Sequence, residues 1–122
     1  MAVRAVRGAI TVSENTKELI WEGTKELLVE IIERNSLEYT DIISVIFTVT
    51  QDLNAAFPAV AARQIGWNDI PLMCTSEINV PGSLKKCIRV MIHINTEKTN
   101  TDINHVYLKG AQVLRPDLAK QQ

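Results

Sequence analysis

Groups that carry chemistry by themselves are scarce in these 122 residues. There are two cysteines, Cys74 and Cys87, and they lack the Cys-x-x-Cys spacing of a zinc or dithiol site. With no export signal in view, both are expected to be free thiols. The two histidines, His93 and His105, stand apart. Each is expected to be a surface or hydrogen-bonded structural residue rather than a base, and no metal site is expected. No Gly-x-x-x-x-Gly-Lys loop cradles a phosphate, and no Gly-x-Gly-x-x-Gly follows a strand. A Gly-x-Ser-x-Gly elbow is absent too, and no nucleophile stands beside an activating base. Apolar runs stay well short of the roughly 20 residues that cross a bilayer. The opening "MAVRAVRGAI" holds two arginines and no continuous apolar core, unlike a secretory signal, so a cytoplasmic protein is expected. A formal net charge of −1 argues against nucleic acid as a partner.

What is present is an ordinary globular composition, 46% hydrophobic and 22% charged, in a length that suits one domain. Residues 3–12 are rich in small and β-branched types and predict a strand. Asn15 followed by Glu18 resembles a capping box, and a helical pattern runs from Thr16 to about Asn35. Its apolar stripe is Ile20, Thr24, Leu27, Leu28, Ile31 and Ile32. Glu14, Glu18, Glu22, Glu26 and Glu30, spaced by four, form a separate solvated ridge. "IISVIFTVT" (42–50) predicts a buried strand. "FPAVAARQIG" predicts a short helix, with Pro58 in its first turn and Gly66 just past its end. "IPLMC" (70–74) is a short strand, "PGS" (81–83) a turn, and 97–104 a polar loop. Residues 105–114 are extended or partly helical, and Pro116 closes the last element. The order β-α-β-α-β-β-β implies an α+β domain whose mixed β-sheet is covered on one face by one long and one short helix.

The most informative strand is "CIRVMIHINT", residues 87–96. Ile88, Val90, Ile92 and Ile94 share one face, as a half-buried strand requires. The other face sets Arg89 between Cys87 and Met91, an unusual place for a guanidinium, and that face could be covered by another subunit. Arg7, Arg63 and Arg115 also stand in unusual settings, with Glu77 and Cys74 after a short strand and Tyr107 after the polar loop. Several arginines without a base suit a small polycarboxylate ligand, because the guanidinium fork matches carboxylate geometry. Spacing alone does not bring them together.

Four blocks in order, "VRGAITV", "DLNAAFPAVAARQIGW", "PGSLKKCIRVM" and "HVYLKGAQVLRPDL", resemble the small trimeric chorismate mutases of bacteria. The resemblance covers about Val3 to Leu118. It implies a single domain over residues 1–118, a mobile tail over 119–122, and a pseudo-α/β-barrel homotrimer with active sites between subunits. It also implies conversion of chorismate to prephenate, a Claisen rearrangement on the way to phenylalanine and tyrosine, with no cofactor. In that likeness Arg89 donates to the ether oxygen of the breaking bond. Glu77 and the backbone around Cys74 and Thr75 meet the substrate hydroxyl, with the Cys74 thiol close by. Arg7 and Tyr107 hold one carboxylate and Arg63 the outer one. Phe57 and Leu114 supply apolar wall, Met73 and Ser76 join the substrate contacts, and Arg115 belongs to the mobile C-terminal edge. Two positions depart from relatives: Val60 stands where a lysine can occur, and Met73 replaces a smaller polar residue. A unimolecular pericyclic step needs no nucleophile, metal or proton carrier, which agrees with the missing signatures. Two other readings remain open at this point. One is a trimeric imine hydrolase with an interfacial arginine, and the other is a non-catalytic sensor of aromatic-pathway metabolites.

Overall fold

The computed structural model describes residues 1–115. Its strands are β1 (Ala2–Thr11), β2 (Ile42–Val49), β3 (Leu72–Ser76), β4 (Cys87–Thr96) and β5 (Val106–Leu108). Its helices are α1 (Lys17–Asn35) and α2 (Pro58–Gln64). The element order is the expected one. The strands form one mixed sheet in the order β3-β2-β4-β1-β5. β4 lies antiparallel to both β1 and β2, while β3 and β5 run parallel to β2 and β1 at the edges. The expected end at Pro116 and the tail over 119–122 lie outside the described residues.

One sheet face is buried under the helices. Val6 and Ile10 of β1, Val45 and Phe47 of β2, and Ile88, Val90, Ile92 and Ile94 of β4 meet Ile20, Leu27, Leu28 and Ile31 of α1. The period of two in the strands and the helical stripe thus build the same core. Gly8 lets α1 lie close on β1, since a Cβ there would sit 2.7 Å from Ile31 Cδ1 and 3.1 Å from Leu27 Cδ1. The α2 helix ends as its sequence requires: Pro58 opens it and Gly66 adopts φ +98° just beyond it.

Two local expectations are revised, at the start of α1 and at β3. The N-cap of α1 is Thr16, whose side chain accepts from Leu19 N–H, rather than an Asn15–Glu18 box. Asn15 instead reaches across the chain, accepting from the Asn54 and Ala55 N–H groups and donating to Asn54 Oδ1. β3 runs two residues later than "IPLMC", because Ile70 is buried in the core before the strand while Thr75 and Ser76 pair with β2. Residues 105–114 are extended and then helical, as expected: β5 is followed by a 3-10 helix, Lys109–Leu114. Part of the glutamate ridge is paired, Glu30 with Arg34 and Glu26 with Lys109.

The second sheet face is only partly covered. At one end Ala9, Cys87, Tyr107 and Ala111 form a small separate cluster, with Leu84 and Leu114 packed on it. Elsewhere Met91, Ile46 and Met73 lie in register across three strands and are 37%, 36% and 63% exposed. No described helix is long and apolar enough to cross a membrane.

Candidate active site

Strand register explains how residues far apart in sequence meet. Tyr107, Ala9, Arg89, Thr48 and Thr75 are successive Cα partners across all five strands. The neighbouring row on the same face is Arg7, Met91, Ile46 and Met73. Between these rows lies a cavity of about 280 Å³, lined by Arg7, Ile46, Thr48, Glu77, Arg89 and Tyr107 among others. Glu77 follows β3, and its N–H donates to Val49 O at 2.9 Å, which holds it beside β2. Arg89 Nη1 donates to Glu77 Oε1 at 3.4 Å, and Thr48 Oγ1 donates to Glu77 Oε2. Arg89 is still 43% exposed at its side chain, so its fork faces the cavity with donors to spare.

Arg7 is fixed from behind. Its N–H donates to His105 Nδ1 at 2.9 Å, so that imidazole nitrogen is an acceptor. Burial, and then the Arg7 and Arg115 guanidinium groups, hold His105 below the usual histidine range. His93 Nδ1 lies 3.3 Å from Ser44 Oγ on the same sheet face. Both histidines are therefore hydrogen-bonded within the fold.

A second cavity, of about 480 Å³, lies where α2 and the start of α1 meet the β3 edge. It is lined by Lys17, Trp21, Phe57, Val60, Cys74, Thr75 and Ser76 among others. Phe57 is 69% exposed here. Val60 supplies no charge, but Lys17 brings a cation to the same cavity. Burial pushes the Cys74 thiol above its ordinary value, and a backbone hydrogen bond with Ala59 and the Arg63 charge bring it partly back. Both thiols are free, and burial raises that of Cys87 to about 11.

The expected site residues thus fall in two groups within one chain. Arg7, Glu77, Arg89 and Tyr107 share the first cavity; Phe57, Cys74, Thr75 and Ser76 share the second. Cys74 and Glu77, three residues apart, are separated because Cys74 turns to the helix side while Glu77 reaches over the open sheet face. Arg63 is exposed in the last turn of α2, close enough to act on Cys74. Met73 lines neither cavity, Leu114 packs on the Tyr107 cluster, and Arg115 caps the last 3-10 helix near His105. Thr48 and Lys17 were not singled out by sequence. Thr48 reads as ordinary β-branched filler; its one signal is that it alternates onto the side away from Phe47.

A family model for chorismate mutase type I matches residues 3–118. The chain belongs to that family. It is 50% identical to the chorismate mutase AroH of Thermus thermophilus over 121 residues, which covers 98% of this chain and 99% of the relative. To the AroH of Bacillus subtilis it is 46% identical over 120 residues, covering 98% and 94%. A solved chorismate mutase from Clostridium thermocellum superposes with a TM-score of 0.89 at 62% identity, over 90% of this chain and 98% of that one. The α+β fold is therefore that of a type I chorismate mutase, and its members are isomerases. Among the described residues no cluster of His, Cys, Asp and Glu could hold a metal ion.

Proposed function

We propose that the chain converts chorismate to prephenate at a site made from both cavities, the first from one protomer and the second from its neighbour. The observation that carries this is the convergence of Arg7, Arg89, Glu77 and Tyr107 on one sheet face, with the Glu77 carboxylate engaged by Arg89 and Thr48. Chorismate is a dicarboxylate that must fold its enolpyruvyl arm over its ring before it can react. Arg7 and Tyr107 grip one carboxylate and Arg63 the other, which favours the compact conformer and removes much of the entropic barrier. As the C–O bond breaks ahead of C–C formation, negative charge grows on the ether oxygen. Arg89, held on a strand between Glu77 and the sheet, donates to that oxygen more strongly in the transition state than in the ground state. Glu77 takes the substrate hydroxyl, and Cys74 closes the site from the other protomer.

The same geometry supports a homotrimer as part of the proposal. Neither half holds all the required groups, and the Met91–Ile46–Met73 row offers an apolar face on which copies can meet. A single domain over residues 1–118 and a cytoplasmic setting complete the proposal. The direct test is incubation of purified protein with chorismate, following loss of its absorbance and identifying the product. Prephenate is expected; no turnover, or hydrolysis of an imine substrate instead, would reject the reading.

A further inference from the structure

We propose that Thr48 is a positioning residue for the rearrangement, acting on Arg89 through the Glu77 carboxylate. Register pairs Thr48 directly with Arg89 on β4 and with Thr75 on β3, so its side chain stands between the arginine and the strand that leads to Glu77. The Glu77 N–H bond to Val49 O brings the carboxylate back over β2. There its two oxygens are divided: Oε2 accepts from Thr48 Oγ1, and Oε1 accepts from Arg89 Nη1. All three side chains line the same cavity. The division matters because a free carboxylate prefers to take both arms of a guanidinium in a bidentate pair. Such a pair would turn the Arg89 fork toward Glu77 and away from the cavity. The threonine hydroxyl anchors the second oxygen on β2, which sets the angle of the carboxylate to the guanidinium and leaves each oxygen a lone pair for a further donor. Arg89 is then oriented by one contact and keeps its remaining donors for the substrate.

The inference rests on Arg89 being the donor to the ether oxygen. It is tested with Thr48→Val, which removes the hydroxyl yet keeps a β-branched strand former. The kcat should fall about tenfold, since small misplacement of a reacting group is costly, while KM moves less than about threefold. Thr48→Ser, which restores the hydroxyl, should recover more than half of the lost kcat. In a Glu77→Gln background, Thr48→Val should cost less than about twofold, because its effect passes through the carboxylate. If the valine chain does not fold, Thr48→Ala enters the same cycle. A valine variant with undiminished kcat overturns the inference, as does a serine variant as impaired as valine, or full additivity with Glu77→Gln. Arg89→Lys separates the two layers. If lysine leaves kcat intact, the role of Arg89 itself fails; if lysine lowers kcat and valine does not, only the Thr48 inference fails.

Discussion

At the scale of single residues, the proposed mechanism asks for fixed charges and moves no proton. Replacing Arg89 by lysine keeps a positive charge but loses the planar fork and the aim it has from Glu77. The expected result is a folded protein whose kcat is lower by roughly two orders of magnitude or more, the usual consequence of losing one oxyanion-type donor. Steady-state kinetics with a circular dichroism check on folding measures it. The same logic governs pH. Burial raises the Cys74 thiol above its ordinary value, so the neutral form predominates through neutrality, and the activity profile should be flat from about pH 7 to about 8. His105 is shifted the other way, downward, so its neutral form predominates across that window. Solvent deuterium should leave kcat almost unchanged. A bell-shaped profile near neutrality with a large isotope effect would point to proton transfer, and hence to the hydrolase.

At the scale of elements, the period-two pattern of residues 87–96 and the stripe of α1 made the order of strands and helices legible, because both report burial on one face. The boundaries that moved did so for long-range reasons. Ile70 is apolar because it fills the core before β3 begins, and Asn15 serves the 54–55 backbone instead of its own helix. Asn35 shows the same economy. It suited a helix end, but it is buried: it donates to Ile31 O and Asn104 O and accepts from Asn104 N–H. That clamp fixes the chain one residue before His105 and three before Tyr107. Asn35→Ala leaves the Asn104 backbone without these partners and should cost about 1–2 kcal/mol. Thermal melting should shift down by roughly 5 °C. Because the clamp leads to the His105 bond with Arg7, KM for chorismate should rise as well. An unchanged melting temperature would show that water replaces the clamp fully.

At the scale of the whole molecule, the sequence singled out the arginines by their settings and gave them roles through family resemblance, but could not say which of them one protomer unites. Register decides that, and register is a property of strands far apart in the chain. Arg7 and Arg89 line one cavity, whereas Arg63 lines neither and stands on α2, near enough to lower the pKa of Cys74 at the other. This yields a sharp test of shared sites. Arg89→Ala chains and Arg63→Ala chains, each nearly inactive, are unfolded together in equal amounts and refolded. Where the first-cavity half comes from an Arg63→Ala chain and the second from an Arg89→Ala neighbour, both arginines are restored. Random assembly of a cyclic trimer makes roughly a quarter of the sites of this kind, so about that share of wild-type activity should return. The control pair is Arg7→Ala with Arg89→Ala. Both substitutions damage the same half, no mixed site contains both arginines, and activity should stay at the level of the separate variants. Recovery in the control pair alone would divide the cavity between protomers differently. No recovery in either, or sedimentation of an active monomer, would confine the site to a single chain.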